Sequence, residues 1–219
     1  MMLFSKSKQK KYENTMKIIK EKSIDQLRDK IKILLVDDER YDIIEILRNR
    51  GYKIYYKEDI TYPIETEPFD LVLLDINGIA DKFASTKQGF GFALEVKKIY
   101  PQKIVVSFSG VSDPKINELL DKIDGYIAKD TDVDMWCTRL DSFIKRYCDP
   151  EYQWNAISLK LKDSGVSKEV IEELKAVYMK SLDSNSFDDI KNIFMERVND
   201  AKLIVDVLTS VIALFKVFG

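Results

Sequence analysis

The chain contains no histidine. That excludes histidine general bases, histidine metal ligands and any phosphohistidine carried by this chain itself. Cysteine is nearly as scarce: Cys137 and Cys148 are the only two, and they lie in no metal or redox spacing. Reduced thiols in a cytoplasmic protein are the expectation. Charge of one sign is also missing, since 35 Lys and Arg meet 37 Asp and Glu for a net charge of -2. Nothing global therefore points to nucleic acid. The start, Met1-Met-Leu-Phe-Ser-Lys-Ser-Lys8, has no apolar run adequate for a signal peptide.

What is present is an ordinary globular composition, 45% hydrophobic and 33% charged over 219 residues. That is room for one full domain and a smaller appendage. The ends differ mildly in charge. Residues 1–30 carry nine basic residues against four acids, and 149–219 carry nine against twelve.

The most informative stretch is Phe69-Asp-Leu-Val-Leu-Leu-Asp75-Ile-Asn77, in which four aliphatic residues run straight into a carboxylate. A continuous apolar run bounded by acids reads as a strand covered on both faces, hence part of a parallel sheet. Ligands bind outside the carboxyl ends of such strands, which is where Asp75 falls.

Taken in order, Tyr12, Met16, Ile19, Ile24 and Leu27 recur at helical spacing among lysines, giving an amphipathic basic helix over about residues 10–30. Lys32-Ile-Leu-Leu-Val36 is a buried-type strand ending in Asp37-Asp38-Glu39. A helical pattern from Tyr41 to Leu47 stops at Gly51, and Lys53 to Tyr56 is a second strand. Glu58 to Pro68 is too short and proline-broken for a full helix. The Asp75 strand comes third. Phe92 to Tyr100 is helical, Lys103 to Ser109 is the fourth strand, and Pro114 to Ile123 is a helix. Gly125 to Ala128 makes the fifth strand, before Lys129, and Val133 to Tyr147 a helix with Trp136, Leu140, Phe143 and Ile144 on one face. Strands alternating with helices in this way give a doubly wound α/β sheet.

These residues together resemble the receiver domain of response regulators, over residues 31–148. Asp37 and Asp38 match its acidic pair after the first strand, and Asp75 its phosphoacceptor after the third. Ser109, followed by the small Gly110, matches the hydroxyl residue after the fourth, and Lys129 the lysine after the fifth. Tyr126 matches the aromatic position that couples phosphorylation to the surface. Singly, each has an ordinary explanation: a helix cap for the acids, a solvated loop charge for the lysine.

The resemblance implies a flavodoxin-like five-stranded sheet in order 2-1-3-4-5. It also implies a signalling protein, not an enzyme beyond catalysis of its own phosphorylation and dephosphorylation at Asp75. The phosphoryl donor would be a histidine kinase or phosphotransfer protein. Mg²⁺ would be held directly by Asp38, Asp75 and the backbone carbonyl of Asn77, with Asp37 acting through water. Lys129 and Ser109 would contact the phosphoryl oxygens. A carboxylate attacking an anionic phosphoryl group needs its charge neutralised, which is why acids, a hard cation and a lysine must meet.

Three departures stand out. Residues 78–88 look like an insertion beside Asp75, since Gly89 and Gly91 come well beyond it. Asp130, not proline, follows Lys129. The second helix is stunted.

Beyond Pro150 the chain reads as an all-α extension, making three segments: a basic helical 1–30, the 31–148 domain and a helical 149–219 output or oligomerisation module. Residues 159–171 look superficially like a helix-turn-helix, but Glu169, Glu172 and Glu173 would repel phosphates, so DNA binding is not expected. Phe187 to Val198 gives one more helix. In Leu203 to Phe218 the only polar residues are Asp206, Thr209, Ser210 and Lys216, so most of that helix must be buried, in a bundle, a homodimer, another protein partner or against a membrane. At roughly 24 Å it is short of a bilayer span. The second reading is accordingly a constitutive scaffold or membrane-associated effector built on the same domain.

Overall fold

The computed structural model describes residues 23–75, 79, 88–110, 120–184 and 186–218. The chain divides into two compact units, one of them Ile24–Tyr147 and the other containing the helices from Cys148 onward. In the first unit the order is α1 (Ile24–Arg28), β1 (Lys32–Val36), α2 (Ile43–Asn49), β2 (Lys53–Lys57) and a 3₁₀ turn (Pro63–Thr66). Then follow β3 (Leu71–Asp75), α3 (Gln88–Ile99), β4 (Ile104–Ser109), β5 (Gly125–Ala128) and α4 (Val133–Tyr147).

All five strands are parallel, in the order β2-β1-β3-β4-β5. This is the expected flavodoxin-like doubly wound sheet, whose order reverses between β1 and β3. The apolar runs explain it. Every residue of β3 and β4 is buried, so both faces of the sheet need cover, and crossover helices supply it. On one face Leu34, Val36, Val72, Leu74 and Val105 pack against Phe92, Ala93 and Val96 of α3 and against Ile60. On the other, Phe108 of β4 meets Trp136 of α4 edge to face, with ring centroids 6.0 Å apart. Gly125 lets β5 pass close under α4, since a Cβ there would come within 2.6 Å of the Phe143 ring and force it to shift.

The short 3₁₀ turn between β2 and β3 is what the proline-broken segment foretold. Glu65 Oε1 accepts the N–H groups of Thr61 and Tyr62 at 2.9 and 2.8 Å, and Glu65 Oε2 pairs with Lys57. α3 begins at Gln88, earlier than the Phe92 start read from the apolar spacing, so Gly89 and Gly91 are inside the helix. The buried sheet face accounts for this: Phe90 and Phe92 both join the apolar cluster, and that burial outweighs the low helix propensity of glycine. Most of the expected amino-terminal helix, the insertion apart from the buried Ile79 and Gln88 at the start of α3, and most of the expected Pro114 to Ile123 helix lie outside the described residues.

α1 is tied down by a polar cluster. Arg28 holds Asp141 of α4 through Nε (2.9 Å) and Nη2 (2.6 Å) and stacks on the Tyr52 ring at 4.5 Å, while the Tyr52 hydroxyl donates to the same carboxylate at 2.7 Å. At the amino end of the sheet, Asp70 accepts from Lys32 N and from the Tyr147 hydroxyl. Lys103 Nζ donates to the carbonyls of Glu67 and Phe69.

The second unit has four described helices: α5 (Pro150–Asp163), α6 (Lys168–Ser184), α7 (Asp188–Arg197) and α8 (Ala201–Phe218). Asp149 caps α5 by accepting Glu151 N, and Gly165, at φ 81°, turns the chain into α6. Trp154, Leu161, Leu174, Tyr178, Phe194, Leu203, Val207 and Val211 form its core. Among the described side chains of α8, the polar positions do not all face water. Ser210 is buried and returns its hydroxyl to Asp206 O, whereas Val205 is exposed. Asp206 is held by Lys160 of α5 at 2.7 Å, so α8 is rotated to bring that ion pair to the surface and Ser210 inward. No helix among the described residues is long and apolar enough to cross a membrane.

Candidate functional site

Strand register brings the expected residues to one end of the sheet. Val36 pairs with Leu74, Asp75 with Phe108, and Ser109 with Ala128. The residues that end or follow these strands, Asp37, Asp75, Ser109 and Lys129, therefore share the carboxyl edge. Strand ends leave the ladder there, so polar side chains can meet without disrupting the buried core.

Carboxylate oxygens of Asp37, Asp38 and Asp75 all lie within 4.8 Å of one another. Asp37 and Asp75 are buried and Asp38 is exposed, so the cluster opens to solvent on the Asp38 side. Lys129 closes it from the β5 side. Its Nζ donates to Asp75 Oδ2 at 2.6 Å and lies 2.8 Å from Asp37 Oδ2. Asp37 Oδ1 accepts Glu39 N at 3.0 Å, while its buried Oδ2 is paired with the Lys129 ammonium. The Lys129 ammonium also stands 5.5 Å over the Phe108 ring.

The titration behaviour follows from this geometry. Burial pushes the Asp37 carboxyl above its usual range, against the opposing pull of Lys129. Burial acts to lower the Lys129 ammonium, but its contacts with Asp37 and Asp75 outweigh that and hold it above its ordinary value. Two buried carboxylates thus share one ammonium.

Ser109 is buried at the end of β4, and its hydroxyl donates to Gly110 O at 3.0 Å. Its carbonyl accepts both Lys129 N (2.9 Å) and the Tyr126 hydroxyl (3.2 Å). The Tyr126 ring is partly buried against the α3-side cluster. Asn77 lies outside the described residues.

Two residues that the sequence reading placed only in a helix and a strand also belong to this edge. The Tyr56 hydroxyl donates to the Asp37 carbonyl at 2.9 Å, and the Tyr41 hydroxyl donates to the Lys129 carbonyl. Neither has a local sequence signal, because each partner is remote in the chain.

No family model matches the chain, and no curated protein matches it. Among solved structures, it is similar to the receiver domain of NtrX from Brucella abortus, at 24% identity and a TM-score of 0.42, covering 52% of this chain and 98% of that one. A CheY-like response regulator receiver domain from Methanospirillum hungatei is similar at 19% identity and TM-score 0.43, over 53% of this chain and 95% of that one. A two-component response regulator from Clostridium difficile is similar at 17% identity and TM-score 0.41, over 53% and 97%. By its strand order Ile24–Tyr147 has the flavodoxin-like doubly wound fold, with the acids at the ends of β1 and β3 meeting the lysine after β5 at the carboxyl edge.

Proposed function

We propose that this chain is a phosphoacceptor response regulator, in which Asp75 receives a phosphoryl group from a histidine kinase or phosphotransfer protein in the cytoplasm. The observation that carries the reading is the cluster itself: three carboxylates within 4.8 Å, with Lys129 bridging the two buried ones. Two buried carboxylates share one ammonium with a third acid beside them, which concentrates negative charge at an edge that can take a cation.

The donor set is made of hard anionic oxygens, three carboxylates gathered beside the Lys129 ammonium, and this fits Mg²⁺. Asp37, Asp38 and Asp75 would hold the ion, with the Asn77 carbonyl as the resemblance implies. When bound, it supplies charge neutralisation for a carboxylate that must approach a phosphate.

An Asp75 carboxylate oxygen attacks phosphorus, the donor's phosphorus–nitrogen bond breaks, and the imidazole nitrogen leaves with the electron pair. Lys129 already lies against Asp75 and supplies the cation for the transferred oxygens. Ser109 turns its hydroxyl from the Gly110 carbonyl to the phosphoryl group. Tyr126, bonded to the Ser109 carbonyl, is the group that senses this rearrangement. The helical module from Cys148 onward is the output, acting through a protein partner or a second copy of the chain.

The test is Mg²⁺-dependent labelling with a small phosphoryl donor, together with beryllofluoride binding, in wild type and Asp75→Asn. Labelling in wild type and none in Asp75→Asn is expected. Equal labelling of both would remove Asp75 from the reaction, and no labelling of either would leave a receiver-fold scaffold.

A further inference from the structure

Lys129 performs its role only if a long, flexible stem delivers one ammonium to two carboxylates. Such a side chain has many rotamers to lose when its ammonium is fixed, so the position of its own backbone matters. The Lys129 N–H is held by Ser109 O at 2.9 Å, which extends the β4–β5 ladder one residue past Ala128. The Lys129 carbonyl lies beyond that ladder, in a turn closed by Thr131 N to Ala128 O and leading to the Asp132 cap of α4. No proline ring stiffens the turn, because Asp130 follows Lys129. The group that takes the carbonyl is the Tyr41 hydroxyl.

Tyr41 lies three residues after Asp38, in the stretch that links β1 to α2. Its ring is half-buried, and its hydroxyl crosses the carboxyl edge from the acidic side to the lysine side. The bond therefore ties the segment carrying Asp37 and Asp38 directly to the segment carrying Lys129. Tyr56 does the corresponding job on the acidic side, where its hydroxyl holds the Asp37 carbonyl at 2.9 Å. One phenol fixes the backbone under each half of the ion cluster.

We infer that Tyr41 is a positioning residue for phosphoryl transfer, fixing the Lys129 backbone so that Nζ reaches Asp75 and Asp37 together. This rests on the phosphoacceptor reading above. Tyr41 touches neither donor nor phosphoryl group and acts through Lys129.

The experiment is a double-mutant cycle on the full chain: wild type, Tyr41→Phe, Lys129→Ala and the pair. Initial rates of Mg²⁺-dependent labelling are measured over a range of donor concentrations and normalised to the folded fraction. Tyr41→Phe keeps the ring and removes only the donating hydroxyl. Its maximal rate should fall about tenfold with the half-saturating donor concentration unchanged, the order expected for one lost positioning hydrogen bond. In the Lys129→Ala background the same substitution should change nothing further, because the group it positions is gone. Tyr56→Phe should instead raise the Mg²⁺ concentration needed for half-maximal labelling.

A Tyr41→Phe rate equal to wild type overturns the inference. So does a tenfold loss that persists in the Lys129→Ala background, since a general effect on folding or dynamics would multiply through. If wild type itself takes up no phosphoryl group, the phosphoacceptor reading fails and the inference with it. That outcome differs visibly from a labelled wild type and an unaffected variant.

Discussion

Replacing Lys129 by methionine keeps the length of the stem and removes the ammonium that pairs with Asp37 and Asp75. Those side chains are 1% and 6% exposed, so water cannot take the place of the ammonium. Their oxygens lie within 4.8 Å, and at an effective dielectric constant of about 20 two unit charges at that distance repel by roughly 3.5 kcal/mol. Stripping one partner from a buried ion pair generally costs about 3–5 kcal/mol, which agrees. Lys129→Met should therefore lose about 3–5 kcal/mol of stability at neutral pH in the presence of a chelator.

Two treatments should restore it. Burial already holds the Asp37 carboxyl above its usual range, and without the ammonium that push loses its main opposition, so the folded variant binds more protons than the unfolded chain and gains stability as pH falls below neutrality. Millimolar Mg²⁺ should rescue the variant by mass action, and more fully than it stabilises wild type, where the ammonium already occupies Asp75 Oδ2. Urea titrations read by tryptophan fluorescence would measure this. Trp154→Phe in the second unit leaves Trp136, packed against Phe108, as the reporter for this one. A variant as stable as wild type in chelator, and indifferent to both Mg²⁺ and acid, would refute the claim that unmatched buried charge is concentrated here.

Burial depresses the Lys103 ammonium to about 8, although Asp70 and Glu67 pull the other way. Between pH 8 and the unfolded value the folded chain binds fewer protons than the unfolded one, so stability should rise by about 2–3 kcal/mol from pH 7 to 10. The difference between wild type and Lys103→Met in urea midpoints across that range should carry this slope, and equal slopes would sink the assignment. Asp141→Ala should cost about 2–4 kcal/mol by thermal unfolding, because Arg28, whose side chain is 16% exposed, loses the acceptor of its Nε and Nη2 and keeps only Asp25 and the Arg50 carbonyl at Nη1, and Tyr52 loses one acceptor. Tyr52 keeps its bond to Cys137 O, so a loss below about 1 kcal/mol would show that the Arg28–Asp141 pair behaves as a surface contact.

The sheet was legible because its signal is local. An aliphatic run such as Leu71 to Leu74 must be buried on both faces, and that alone implies a parallel sheet with crossover helices. An acid or lysine at the end of each run then lands on one edge, because parallel strands share direction. Asp37, Asp38, Asp75, Ser109 and Lys129 were therefore readable as a set from order and spacing.

Tertiary structure decided what depends on partners far away in the chain. Gln88 to Gly91 is helical because Phe90 and Phe92 reach the sheet, against the local preference of two glycines. Ser210 is buried and Val205 exposed because the Lys160–Asp206 pair and the core of the second unit set the rotation of α8. The sharing of one ammonium by two buried carboxylates, and the Tyr41 and Tyr56 hydroxyls beneath them, come from chain segments up to 92 residues apart (Asp37 to Lys129). Local pattern records which residues must be buried or end a strand. The distances that set charge and reactivity exist only once the strands are in register.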